Sequence, residues 1–135
     1  MATKKILVVD DEKSIRDLLE QAFSKKGYDV VTAASAEEAL ESQKRDTRWI
    51  VISDLNLPGM DGLELCKKIR ADSPFAIVYA ITGYASMYEL ADCREAGFED
   101  YFTKPVDLAT LVRALENAVA KLYRWRGGKS TAKSV

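Results

Sequence analysis

The sequence predicts an α/β protein built on an open, parallel, five-stranded sheet with helices on both faces. Three observations support this prediction. Short apolar runs of strand length alternate with segments whose apolar residues recur at helical spacing. The run Ile50–Ser53 is apolar on both faces, as a central parallel strand requires. The connections are short, which is typical of consecutive βα units.

The first half of the chain contains the elements that precede this central strand. Lys5–Val9 is the first predicted strand, and the helix after it ends near Gly27, a residue suited to a left-handed cap. Val30–Ala33 is the second strand. Ser35 and Glu38 have the spacing of a capping box that opens the second helix. The apolar face of the first helix comprises Ile15, Leu18, Leu19, Ala22 and Phe23.

The second half repeats the alternation. A third helix ends before Pro74, because the residue before a proline disfavours helical geometry. Ala76–Ile81 and Glu99–Phe102 are the fourth and fifth predicted strands. Ser86 is expected to cap the fourth helix and Asp107 the fifth. The core face of the last helix comprises Leu108, Leu111, Val112, Leu115, Val119 and Leu122.

Length and charge predict one domain with a basic tail. A chain of 135 residues fits a single domain, here residues 1–124. Residues 125–135 are predicted to be a disordered tail or the start of a linker. The net charge of −1 is unevenly spread, since residues 121–135 carry +5 and the remainder −6. An acidic body argues against nucleic-acid binding by the domain itself.

Composition also excludes several classes of site. Histidine is absent, which rules out a Ser-His-Asp triad, an imidazole-ligated zinc site and a phosphohistidine on this chain. Cys66 and Cys93 lie in predicted helices with apolar neighbours, so buried free thiols are expected. No apolar run approaches the roughly 18 residues of a membrane span. A cytoplasmic protein is the prediction.

Polar residues at the ends of the predicted strands indicate the function. Because parallel strands end at one edge of a sheet, where ligands bind, these side chains are expected to converge. Clustered carboxylates, a hydroxyl and an ammonium suit a divalent metal such as Mg²⁺ and a phosphoryl group. A carboxylate can also attack phosphorus to form an acyl phosphate. The residues are Asp10, Asp11, Asp54, Thr82 and Lys104.

In order and spacing, these residues resemble the receiver domains of two-component response regulators, the CheY-like family. The turn-rich loop at residues 57–62 and the segment at residues 97–105 are similar to that family as well. The resemblance covers about residues 4–123. It implies strand order 2-1-3-4-5 in a doubly wound, flavodoxin-like three-layer sandwich.

The resemblance also implies roles for individual residues. Asp54 matches the phosphoacceptor, and Lys104 matches the lysine that pairs with a phosphoryl oxygen. Asp11 and Asp54 would bind Mg²⁺ through carboxylates, and Asn56 through its backbone carbonyl. Asp10 would act on the metal through water. The Lys104–Pro105 peptide bond would be cis.

The resemblance further implies how phosphorylation is signalled. Thr82 would donate its hydroxyl to the phosphoryl group, and Tyr101 would change rotamer with it. This would alter a partner-binding surface at residues 86–96, 100–102 and 107–122. The phosphoryl donor would be a phosphohistidine of a sensor histidine kinase or a phosphotransfer protein. The domain would then be a signalling phosphoacceptor, catalysing only its own phosphorylation and dephosphorylation.

Other functions remain open on the sequence alone. One is a non-phosphorylated interaction module of the same fold. A phosphatase with an aspartate nucleophile would need a second acid close after Asp54, which this chain lacks. A flavin-binding protein is disfavoured because Asp10 and its acidic neighbours would repel the flavin phosphate. Tyr84 and Asn56 are hypothesised to flank the path of water to an acyl phosphate. The downstream target, a missing output domain and a phosphorylation-dependent homodimer are also left open.

Overall fold

A computed structural model of the protein describes residues 4–83 and 87–127. Within these ranges five strands alternate with five helices, and a π-helical turn, Tyr123–Gly127, follows the last helix. The strands are β1 Lys5–Val9, β2 Asp29–Ala33, β3 Ile50–Asp54, β4 Ile77–Thr82 and β5 Asp100–Thr103. The helices are α1 Lys13–Lys25, α2 Ala36–Arg45, α3 Gly62–Asp72, α4 Met87–Ala96 and α5 Leu108–Leu122.

All strands of the sheet are parallel, in the order β2-β1-β3-β4-β5, which confirms the predicted fold. Successive residues of a strand face opposite sides of the sheet. Leu7 of β1 therefore joins a core with residues of α2, α3 and α4, whereas Ile6 joins a core with residues of α1 and α5. All five residues of β3 are buried, as expected for the central strand.

Local sequence signals set the helix boundaries. Asp61 Oδ1 accepts a hydrogen bond from the Glu64 backbone N–H at 2.9 Å and so caps α3. Asp107 caps α5 in the same way, as predicted. Ser35 caps α2, but the Glu38 carboxylate returns to the N–H of Ala34 rather than to that of the cap residue. The predicted cap of α4, Ser86, lies outside the described residues.

The last three strands, β3, β4 and β5, end one residue later than the sequence predicts. Asp54 and Thr82 are the last residues of β3 and β4, because the ladder pairs Asp54 with Ile81 and Thr82 with Thr103. Both side chains are therefore fixed by sheet geometry rather than by a loop. The Lys104–Pro105 bond that follows β5 is cis, as the resemblance implies.

Cys66 and Cys93 are buried free thiols, as predicted. Burial raises the pKa of Cys66 to about 12, so this thiol stays protonated. Among the described residues, no helix has the length and apolarity needed to cross a lipid bilayer. The predicted basic tail lies mostly beyond Gly127, and the domain boundary at residue 124 stays a prediction.

Candidate phosphoryl and metal site

Asp10 is the most constrained acid at the carboxyl edge of the sheet. Its backbone N–H continues the ladder to the Ala33 carbonyl at 3.1 Å. Its Oδ1 accepts a hydrogen bond from the Glu12 N–H at 2.9 Å, and its own carbonyl accepts one from Arg16 at 2.7 Å. These contacts hold a fully buried carboxylate in one orientation at the end of β1.

Asp54 is held from both sides at the end of β3. Its Oδ1 accepts a hydrogen bond from the Asn56 N–H at 3.0 Å, and its Oδ2 accepts one from Lys104 Nζ at 3.0 Å. The loop after β3 folds back onto the end of that strand, because the Gly62 N–H donates a hydrogen bond to the Leu55 carbonyl at 3.0 Å. A Cβ on Gly62 would lie 2.3 Å from the Asp54 carbonyl oxygen, so only glycine fits there.

Lys104 joins three carboxylates at one point. Its backbone N–H donates to the Thr82 carbonyl at 2.8 Å, which fixes the start of its loop against β4. Its Nζ lies 3.0 Å from Asp54 Oδ2, 2.9 Å from Glu12 Oε1 and 3.2 Å from Asp10 Oδ2. One ammonium thus faces three carboxylates, which leaves the cluster with a surplus of negative charge.

The pKa values of the cluster follow from burial and from these contacts. Burial raises the pKa of Asp10 above its ordinary value, and the neighbouring charge of Asp54 adds to this effect. Burial alone would lower the pKa of Lys104. Its hydrogen bonds to Glu12 and Asp54 outweigh burial and raise that pKa, so the ammonium stays charged.

The donor set fits a hard divalent cation. Carboxylate oxygens of Asp10, Glu12 and Asp54 lie within 4.8 Å of one another. Asp10 Oδ2 is buried without a hydrogen bond and has only the ion-pair contact with Lys104. Oxygen ligands with excess negative charge are what Mg²⁺ and similar ions prefer. This edge of the sheet is therefore suited to hold a metal ion.

The structure brings only some of the predicted metal ligands into this cluster. Asp11 is exposed and is not among the three clustered acids. It lines a cleft together with Asn56 and Asp61, directly beside the cluster. The third acid of the cluster is instead Glu12, which was not among the predicted ligands and whose carboxylate contacts Lys104. Its position was not predictable, because Glu12 follows the strand end by three residues and no periodicity fixes where its side chain points.

Thr82 lies on β4, the strand next to that of Asp54, and Tyr101 lies on β5, one strand further away. Thr82 is buried at the end of β4, one strand away from Asp54 in the sheet. Tyr101 is half-buried on β5 and packs against the core that faces α3 and α4. With Leu90 and Arg94 of α4 it lines a small cavity between that helix and the strand. Tyr84 lies outside the described residues.

Comparison with known proteins agrees with this geometry. Residues 6–116 match the family model described as the response regulator receiver domain. The sporulation initiation phosphotransferase F of Bacillus subtilis is 34% identical over 108 residues, covering 80% of this chain and 87% of that protein. The alkaline phosphatase synthesis transcriptional regulatory protein PhoP of the same species is 39% identical over 102 residues. That match covers 76% of this chain and 42% of PhoP.

Solved structures show the same fold. A CheY-like receiver domain protein from Methanospirillum hungatei superposes with a TM-score of 0.84 at 32% identity, covering 87% of this chain and 94% of that one. This chain spans about half or less of the length of several of its curated relatives. The sequence match, the fold and the acidic strand ends agree, and the chain belongs to the response regulator receiver domain family of two-component systems.

Proposed function

We propose that Asp54 accepts a phosphoryl group from a phosphohistidine of a sensor histidine kinase or phosphotransfer protein, with Mg²⁺ as cofactor. One observation carries the proposal. Lys104 Nζ lies 3.0 Å from Asp54 Oδ2 and also contacts Asp10, whose Oδ2 is buried and lacks a hydrogen bond. A purely structural cluster would have its charges balanced, because unpaired buried charges are costly.

The residues of the site have distinct tasks in this reaction. An Asp54 carboxylate oxygen attacks phosphorus, the P–N bond to the donor imidazole breaks, and an acyl phosphate forms. Lys104 balances the charge on one phosphoryl oxygen, and Thr82 donates its hydroxyl to another. The hydrogen bond from Asn56 orients the Asp54 carboxylate for attack. Water later attacks the acyl phosphate and restores the carboxylate.

The metal site draws on the acids around Asp54. Asp11 and Asp54 would supply carboxylates and Asn56 its backbone carbonyl, while Asp10 would act through water. Asp11 and Asn56 line the cleft beside the cluster, which supports their assignment. When bound, Mg²⁺ neutralises charge on the phosphoryl oxygens. Among these residues, Asp10 and Asp54 have the buried carboxylates whose charge the cation offsets.

Phosphorylation then shifts the protein between two states of its signalling surface, which comprises α4, β5 and α5. Thr82 and Tyr101 couple the site to this surface, because they lie on the adjacent strands β4 and β5. The domain acts in the cytoplasm on a downstream protein or on an output domain, and catalyses only its own phosphorylation and dephosphorylation. A phosphorylation-dependent homodimer is one form this signal can take.

Intact-mass measurement after incubation with acetyl phosphate and Mg²⁺ tests the proposal. The wild type is expected to gain one phosphoryl group, and prior chelation of Mg²⁺ should prevent it. Asp54→Asn should gain none. Asp17→Asn, an exposed change on α1, is the matched control and should be phosphorylated like the wild type. The absence of an adduct, together with no binding of beryllofluoride, would favour the non-phosphorylated interaction module.

The coupling has its own test. Thr82→Ala is expected to accept the phosphoryl group but to lose most of the response at β5. Amide chemical shifts of Asp100–Thr103 before and after beryllofluoride addition would measure this response. A full response in Thr82→Ala would remove Thr82 from the switch while leaving the phosphoacceptor assignment intact.

A further inference from the structure

Glu12 makes a contact that its position does not require. It is the N-cap residue of α1, yet its side chain makes no capping hydrogen bond. The carboxylate reaches Lys104 instead, with Oε1 at 2.9 Å from Nζ. This side chain is 57% exposed, whereas that of Asp10 is 0% and that of Asp54 is 5% exposed. Among the described carboxylates that contact Lys104, Glu12 is therefore the one that can leave without moving buried structure.

Glu12 occupies one of the hydrogens that Lys104 could offer to a phosphoryl group. An ammonium offers three hydrogens. Nζ donates to Glu12 at 2.9 Å and to Asp54 at 3.0 Å, and it lies 3.2 Å from Asp10 Oδ2 as an ion pair. Asp10 is fixed by contacts with Glu12 N–H and Arg16, and Asp54 is the residue that becomes phosphorylated. A phosphoryl oxygen on Asp54 is negatively charged and would lie close to Lys104, so it competes with the Glu12 carboxylate for the ammonium.

We propose that Glu12 is a positioning residue that competes with the phosphoryl group for Lys104 while its charge helps to attract the metal ion. The inference rests on the proposed function of the same site. Glu12 is not among the acids that the family resemblance assigns. Carboxylate oxygens of Glu12 and Asp10 lie within 4.8 Å of each other, and the Oδ2 of Asp10 is buried without a hydrogen bond.

The two roles of Glu12 predict effects of opposite sign. Removing its charge weakens the attraction of the cluster for Mg²⁺, because one of three nearby carboxylates is neutralised. The same change frees Lys104 to bind a phosphoryl oxygen. A residue that merely supported the fold would shift both affinities in the same direction or neither.

Two variants separate charge from reach. Glu12→Gln removes the charge, and Glu12→Asp keeps it on a side chain one methylene shorter, which draws the carboxylate back from Lys104. Asp17→Asn is the matched control, an exposed acid of α1 whose carboxylate pairs with Lys13 at 2.7 Å. Isothermal titration calorimetry would measure the Kd of Mg²⁺, and then that of beryllofluoride at saturating Mg²⁺.

In Glu12→Gln we expect Mg²⁺ to bind about threefold more weakly and beryllofluoride about threefold more tightly, a change of the size of an exposed ion pair. Glu12→Asp should keep the Mg²⁺ affinity and still bind beryllofluoride more tightly. Asp17→Asn should match the wild type in both. Weaker beryllofluoride binding by Glu12→Gln, or wild-type affinities in both Glu12 variants, would overturn the inference.

The failure of this inference differs from the failure of the proposed function. If Glu12 does not compete for Lys104, the wild type still binds beryllofluoride and still becomes phosphorylated on Asp54. If the proposed function is wrong, neither the wild type nor any variant binds beryllofluoride, and the inference falls with it. Circular dichroism of each variant would establish that the fold is kept.

Discussion

The two edges of the sheet both carry clusters of charged side chains, but only one cluster is balanced. At the amino edge, Arg48 is 5% exposed and its guanidinium contacts the carboxylates of Asp29 and Asp46 at 3.4 and 3.2 Å. It also donates to the Asp29 carbonyl at 2.6 Å. Lys5 pairs with Asp46 as well. Two cations thus meet two anions.

At the carboxyl edge three carboxylates share a single ammonium, that of Lys104. The acids also differ in burial, because Asp29 and Asp46 are 65% and 49% exposed, whereas Asp10 and Asp54 are 0% and 5% exposed. The two edges therefore differ both in charge balance and in the burial of their carboxylates. In a balanced cluster each charge is compensated in place, so little charge is left to attract a further ion. An unbalanced one leaves binding energy for a cation and a phosphoryl group, and perturbed pKa values of this kind concentrate at functional sites.

The largest change in the free energy of unfolding is expected for a substitution of Arg48, at the amino edge of the sheet, where the charges are balanced. Arg48→Met removes the guanidinium that donates to the Asp29 carbonyl and pairs with two exposed carboxylates, and should lower the free energy of unfolding by about 2 kcal/mol, because that carbonyl loses a charged donor. Urea denaturation would measure it. Arg45→Met is the control, because its exposed pair with Glu41 spans 3.9 Å and should contribute less than about 1 kcal/mol. Equal losses in both variants would mean that burial of Arg48 has no energetic consequence.

At the carboxyl edge, where the charges are unbalanced, a substitution is expected to raise the free energy of unfolding rather than lower it. Asp10→Asn should stabilise the protein in the absence of Mg²⁺ at neutral pH, by on the order of 1 kcal/mol, since it removes one of three repelling carboxylates. Because the pKa of Asp10 is raised on folding, its ionisation makes stability fall as pH rises above 3.8. The advantage of Asp10→Asn should therefore vanish below that pH. A loss of stability at pH 7 would contradict the account.

The smallest change in stability is expected for Asp46→Asn. Its pH dependence should be the reverse of that of Asp10→Asn. Its hydrogen bond with Lys5 lowers the pKa of Asp46 below the ordinary 3.8. Asp46 therefore adds stability above that pH, and this stability is lost as pH falls through the lowered pKa. Thermal melts of wild type and variant from pH 2 to pH 6 should converge at the acidic end. If Asp46→Asn were more stable than the wild type at pH 6, the claim that the charge of Asp46 is compensated at this edge would be wrong.

The sequence predicted the fold and most of the site for one reason. Parallel strands end at a common edge, so acids that follow apolar runs must converge there, as Asp10 and Asp54 do. Side-chain direction beyond the strand ends was not predictable. Asp11 is exposed beside the cluster, and Glu12 turns back to Lys104. These directions depend on the backbone turn after β1 rather than on local periodicity.

Arg48 was missed for a different reason. An arginine before an apolar strand is expected to be solvated. Arg48 is buried instead, because β1 and β2 place two backbone carbonyls where its guanidinium can donate to both. The close approach of Gly62 to the Asp54 carbonyl likewise depends on the tertiary path of the loop. Contacts between residues far apart in the chain are fixed by packing, which no local pattern encodes.

The free energy of unfolding as a function of Mg²⁺ concentration, at constant ionic strength, tests the central claim most directly. If the surplus charge at the carboxyl edge is reserved for a cation, the wild type should gain about 2.7 kcal/mol when Mg²⁺ reaches 100 times its Kd. Asp46→Asn should show the same gain, and Asp54→Asn should lose most of it. A wild type indifferent to Mg²⁺, or an equal gain in Asp54→Asn, would contradict the account.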